Sequence, residues 1–166
     1  MEFSLITALI FVILAAANAT TTANHENGAG ITVRMPRVRP TRPDSYLCAA
    51  LKLGDAPIQV IGYEPLIDRH TVHHMNIFAC ETPGSDAPVW HCGLMGERLA
   101  ATTPGGMPSG PKCASGLRHL IYAWANAAPP LRLPDGVGLK VPAYTTLVLQ
   151  VHYASIDKFL QRWARR

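Results

Sequence analysis

The chain has 166 residues, of which 48% are apolar and 16% charged, and its formal net charge is +4. That length allows one domain with a core of its own, and the apolar share excludes wholesale disorder. The 14 prolines and 13 glycines exclude a helical bundle and point to a loop-rich, mostly β chain.

Leu5 to Ala17 is an apolar run without charge, followed by Ala17-Asn18-Ala19, a small-x-small cleavage pattern. Residues 1–19 therefore read as a secretory signal peptide cut after Ala19, although the leading region carries Glu2 and no Lys or Arg. The competing reading, an uncleaved anchor, needs a longer run, and no other apolar run is long enough to span a bilayer. Cleavage removes Glu2 and takes the net charge from +4 to +5. Residues 20–33 are polar, rich in Thr, Asn and Gly, and read as a disordered leader. Ile31 to Pro43 reads as an extended basic arm carrying Arg34, Arg37, Arg39 and Arg42 and punctuated by Pro36, Pro40 and Pro43. These arginines, and Arg162, Arg165 and Arg166 in the C-terminal tail, lie at the chain ends. They read as solvated arms, with no nucleic-acid partner.

Ser45 to Leu53 and Ile58 to Pro65 carry β-branched residues in fair alternation and predict strands, as does Val72 to Cys80. Thr82 to Ser115 has little periodicity and many Gly and Pro, so it needs covalent stapling to be ordered. Arg118 to Asn126 is ambiguous between strand and short helix. Pro129, Pro130 and Pro134 then enforce a loop, and Leu139 to Val141 and Thr145 to Tyr153 predict the last strands. No internal repeat is visible.

Four cysteines follow the signal segment: Cys48, Cys80, Cys92 and Cys113. An even number in an oxidising compartment suggests two disulfides, with three possible connectivities. A cysteine zinc site is the competing reading, but there is no C-x-x-C pair.

The chemistry-bearing residues are imidazoles. His73 and His74 are adjacent at the start of one apolar run, and His152 lies near the end of another. Three histidines on strand-like segments suit a copper or zinc site. Successive strand side chains point to opposite faces, so a neighbouring pair reaches one metal only at a strand end or bulge. There it would form a near-linear pair with His152 completing a T, a geometry that suits Cu(I) better than tetrahedral Zn(II). The bland alternative is an ordinary strand with one ring buried and one exposed. Gln150 lies two residues before His152 and shares its strand face, where it would orient a ligand or water or be an ordinary polar strand residue. His25, His70, His91 and His119 read as surface or structural residues, and Met75 as core. No catalytic triad or carboxylate pair is evident.

Several motifs follow one another in a familiar order: Met35-Pro36, Asp44-Ser45-Tyr46-Leu47-Cys48, Thr71-Val72-His73-His74-Met75 and Phe78-Ala79-Cys80. Ile121 to Pro130, Leu133 to Gly138 and Leu149-Gln150-Val151-His152-Tyr153 complete the series. Over residues 34–157 the chain resembles the N-terminal half of the peptidylglycine alpha-hydroxylating monooxygenases, copper- and ascorbate-dependent enzymes of the peptide-amidation pathway. The resemblance implies a jelly-roll-like antiparallel β-sandwich that binds the electron-donating copper through His73, His74 and His152. It implies the disulfides Cys48–Cys92 and Cys80–Cys113, ascorbate as reductant, molecular oxygen as co-substrate and glycine-extended peptides as substrates. A secreted or secretory-vesicle location also follows.

The departures are as informative. Nothing here matches the family's second, oxygen-activating copper domain, which also holds the peptide. The sandwich is expected to be incomplete at its C-terminus, with residues 158–166 a divergent basic tail. Two alternatives therefore stand beside the peptide-amidating reading. One is a dopamine beta-hydroxylase-like copper monooxygenase half, which shares His-His-Met and the His-Tyr strand; Tyr122 to Gly138 looks more like the peptide-amidating branch. The other is a secreted copper-binding β-sandwich without catalysis.

Overall fold

The computed structural model describes residues 9–15, 30–67, 71–94, 97 and 99–157, with the backbone alone for residues 9–15 and for Leu117. Among the described residues ten strands make up the architecture: β1 (Leu9–Ala15), β2 (Gly30–Arg34), β3 (Ser45–Lys52), β4 (Ile58–Leu66), β5 (His74–Pro83), β6 (Trp90–His91), β7 (Cys113–Ala125), β8 (Leu131–Arg132), β9 (Leu139–Val141) and β10 (Thr146–Tyr153). They pair antiparallel into two sheets. One runs β2-β1-β4, with β8 and β9 sharing the outer edge of β4; the other runs β6-β3-β10-β5-β7. The chain is an all-β antiparallel sandwich.

Side-chain alternation explains the layers. On β10, Leu147, Leu149, Val151 and Tyr153 point one way and are fully buried. They meet Leu47 and Ala49 of β3, Met75, Ile77 and Ala79 of β5, and Tyr122 and Trp124 of β7 in one core. Val33 of β2, Val60 and Tyr63 of β4 and Val141 of β9 close that core from the opposite sheet. Tyr63 stacks on Tyr122 across the gap, with ring centroids 4.2 Å apart, and its hydroxyl donates to the Ile121 carbonyl at 3.0 Å. Burial pushes the Tyr63 phenol up to about 12, so the hydroxyl stays a donor.

The other face of β10 is also buried, by the long segment between β5 and β7. Cys48, Phe78, Cys80, Trp90, Cys92, Cys113 and Val148 form a second apolar cluster there. Disulfides Cys48–Cys92 and Cys80–Cys113 staple the segment to the sheet, the pairing implied by the family resemblance. Gly84 is required where the segment leaves β5, because a Cβ there would overlap the Pro111 carbonyl.

Several elements differ from the sequence-based expectations. The basic arm is not merely solvated: Gly30–Arg34 is a strand, and Val33, Met35 and Val38 are buried in the core while the intervening arginines face outward. The disordered leader expected through residue 33 therefore ends by Gly30 at the latest. The ambiguous Arg118–Asn126 tract is strand through Ala125, because it pairs along β5. Leu131–Arg132, expected as loop among prolines, adds a two-residue strand to Gly62 and Tyr63, whose edge is open to it. The apolar run assigned to a signal peptide contributes β1, inserted between β2 and β4. A β-branched apolar run pairs readily with open strand edges. Residues 16–29 and the tail at 158–166 lie outside the described residues.

Leu149 is fully buried at the centre of the core, whereas Leu120 on β7 is half exposed. Leu149→Ala is expected to cost about 2–5 kcal/mol in urea unfolding, and Leu120→Ala within about 0.5 kcal/mol. Equal losses would contradict this placement of the core.

Candidate metal centre

The register of three strands builds the site. β10 pairs with β3 so that His152 stands opposite Tyr46, and with β5 so that His152 stands opposite His74. Tyr46, His152 and His74 thus form a row across the outer face of the sheet. One row further in lie Cys48, Gln150 and Asn76, followed by Ala50, Val148 and Phe78.

His73 joins the row from outside the strand. β5 begins at His74, so alternation does not bind the direction of the preceding residue. The His73 backbone N–H donates to the His152 carbonyl at 2.9 Å, which fixes it beside the row. The result brings three nitrogens together: His73 Nδ1 lies 3.3 Å from His74 Nδ1, and His74 Nδ1 lies 3.3 Å from His152 Nδ1. Among the described residues, this is the one group of three or more His, Cys, Asp or Glu side chains placed to hold a metal ion. His74 is the middle of the three, with a neighbouring imidazole nitrogen on either side.

The donor set fits copper. Three imidazoles in a low-coordinate site suit that metal in either oxidation state. Burial, followed by the neighbouring His152 and His73 rings, holds the His74 imidazole below its usual value, which keeps its lone pair available. His152 is buried, His74 half-buried and His73 exposed, so the site opens at one side. A cavity of about 330 Å³ lies beside His73, bordered by Thr71, Trp124, Asn126 and Ser155.

Two residues that sequence reasoning did not single out for the site touch it directly. The Tyr46 ring stacks on His152, with centroids 4.2 Å apart and planes within 3°. Asp44, just before β3, places Oδ1 3.0 Å from His152 Nε2. Both lie in the Asp44–Cys48 motif. Period-2 alternation back from Cys48 would have put Tyr46 on the correct face.

Gln150 shares the face of His152, as expected, but its amide contacts run inward. Its Oε1 accepts from Asn76 Nδ2 at 3.0 Å, and its Nε2 donates to the Gly93 carbonyl at 2.9 Å. Lys112 Nζ donates to the same carbonyl at 2.7 Å and to that of Leu94 at 3.0 Å. The Gln150–Gly93 bond anchors the covering segment to the strand that carries His152, and the Lys112 bonds tie that segment to itself. All four cysteines are in disulfides, which removes the zinc-cysteine alternative. Met75 is core; His91 is half-buried in β6 and His119 is exposed on β7. His25 and His70 lie outside the described residues.

Residues 31–160 match the family described as copper type II ascorbate-dependent monooxygenase, N-terminal domain. The chain is 36% identical over 133 residues to peptidylglycine alpha-amidating monooxygenase of Rattus norvegicus and to its counterpart from Mus musculus. Peptidyl-glycine alpha-amidating monooxygenase B of Xenopus laevis is equally similar. Each match covers 78% of this chain but only 12–13% of the relative, so the chain spans a small part of these proteins. With three convergent imidazoles on one face of a disulfide-stapled sandwich, the chain belongs to the copper type II ascorbate-dependent monooxygenases, as a representative of their N-terminal domain.

Proposed function

We propose that this chain is the electron-donating copper domain of a peptidylglycine alpha-hydroxylating monooxygenase, in the pathway to C-terminally amidated peptides. The observation that carries the reading is the convergence of the His73, His74 and His152 Nδ1 atoms. The similarity to alpha-amidating monooxygenases supports the peptide-amidating branch over the catecholamine type. Glycine-extended peptides are then the substrates, ascorbate the reductant and molecular oxygen the co-substrate.

Copper bound there supplies a one-electron store. The three imidazoles would hold it through their ring nitrogens. The sheet keeps the backbones of His74 and His152 at a fixed separation, so these two imidazoles would hold the metal from a rigid frame. Gln150 and Asn76 support this at one remove, each two residues from a ligand on its own strand. The cavity beside exposed His73 gives a small reductant an approach. Oxygen activation and peptide binding belong, by the family resemblance, to a second domain.

The chain purified from a eukaryotic secretion host is expected to carry one copper per molecule by elemental analysis. His73→Ala and His152→Ala are expected to lose it while retaining both disulfides. Ascorbate is expected to bleach the Cu(II) electron paramagnetic resonance signal of the parent. A folded parent without tightly held copper would refute the reading.

We also propose that the protein enters the secretory pathway, in keeping with its two disulfides. The secreted form is expected to begin at Thr20 by intact mass. A secreted form that begins before Leu9 would instead make β1 a permanent strand of the sandwich.

A further inference from the structure

The Asp44 carboxylate is the one acidic group that contacts an imidazole of the cluster among the described residues. It is held there by the backbone. The Asp44 N–H donates to the Ala154 carbonyl just beyond β10, and Ser45 Oγ donates to the Arg42 carbonyl, closing the turn that enters β3. Asp44 itself has a φ of +53°, a left-handed conformation that Asp and Asn tolerate better than most residues. Tyr46, two residues on, lies flat against the same His152 ring. One short segment therefore grips His152 by its face and by the edge opposite the cluster.

From this grip we infer that Asp44 is a positioning residue for the metal centre: it fixes His152 in the tautomer and orientation that present Nδ1 to the metal, and it strengthens that nitrogen as a donor. A carboxylate only accepts hydrogen bonds, so the proton of the neutral His152 ring must sit on Nε2. The lone pair is then on Nδ1, the atom 3.3 Å from His74 Nδ1. A carboxylate behind a metal-bound imidazole also pulls on the N–H and raises the ligand's basicity. That favours Cu(II) over Cu(I) and lowers the reduction potential of the site. Tyr46 keeps the ring from turning about its own axis and losing both contacts. Neither His73 nor His74 has such a partner within the described contacts, so His152 is the ligand best fixed in place. The inference rests on the copper reading for its energetic part, but the tautomer does not depend on metal.

The substitutions that test it respect the turn. Asp44→Asn keeps an acceptor oxygen and tolerates the same φ while removing the charge. Asp44→Gly removes the side chain at a φ that glycine adopts freely. In the full copper-loaded chain, Asp44→Gly is expected to weaken Cu(II) affinity by about 10–100-fold, with Asn in between. Both variants are expected to raise the reduction potential and to alter the Cu(II) paramagnetic spectrum. In the metal-free chain, nitrogen NMR of the imidazoles is expected to find His152 wholly as the Nε2–H tautomer in the parent and as a mixture in Asp44→Gly. A parent that binds no copper would sink the copper reading, while the tautomer measurement would still decide the role of Asp44. A parent and an Asp44→Gly variant with the same tautomer, or the same affinity, potential and spectrum, would overturn the inference.

Discussion

The register of β10 against its two neighbours is the constraint on which the site depends. Because the side-chain period of a strand is two, a one-residue slip would turn His152 inward and Val151 outward. The slip is resisted from both faces. Inward, Leu147, Leu149, Val151 and Tyr153 would have to leave a packed core for the covering segment. Outward, Val148 and Gln150 would lose the second cluster and the Gly93 carbonyl. The hydrogen bond between Asn76 and Gln150 marks the register one row behind the imidazoles. A buried amide such as that of Gln150 is costly in any alignment that leaves it unpartnered.

A sheet used on both faces needs a cover, and a segment with little regular structure provides it. Its cohesion is covalent and polar rather than periodic. Each disulfide removes unfolded-chain entropy for a closed loop of 44 or 33 residues, on the order of 2–4 kcal/mol. Lys112 gives its ammonium to two backbone carbonyls of the same segment, and burial lowers its proton affinity accordingly. Trp90 lies fully buried beneath the cover and donates its indole N–H to Pro111. At the end of β10 exposure rises across the imidazole row, from buried His152 through half-buried His74 to exposed His73. The three rings thus sit where a rigid sheet ends, partly open to water and close enough to the core to be held still.

The three imidazoles differ in how they are held. His152 and His74 are locked by paired strands, and His152 additionally by Tyr46 and Asp44. His73 is held by one backbone bond and is exposed beside a cavity. That gradient, from a fixed imidazole to an accessible one, gives a cluster with a supported inner side and an approachable outer side.

Much of this was legible in the sequence. Alternation marked the core strands, the small-residue punctuation marked the loops, and the His73-His74 pair with distant His152 marked the imidazoles that converge. Family motifs supplied the disulfide pairing, which spacing alone left open. Other features depended on partners distant in the chain. Val33, Met35 and Val38 looked like part of a basic arm because their burial depends on a sheet contributed by later strands. The tract around Arg118 was undecided until β5 offered it an edge. Leu9–Ala15 has the composition of both a signal segment and a strand, and only an open position between β2 and β4 makes it the latter. Asp44 and His152 lie 108 residues apart, and their contact exists because the turn before β3 folds over the end of β10. Local periodicity and residue chemistry are written along the chain, so the sequence by itself determined the central strands and the imidazole chemistry. Strand register, burial and ring orientation are set by which distant segments pair, so only the tertiary structure decided how those imidazoles meet.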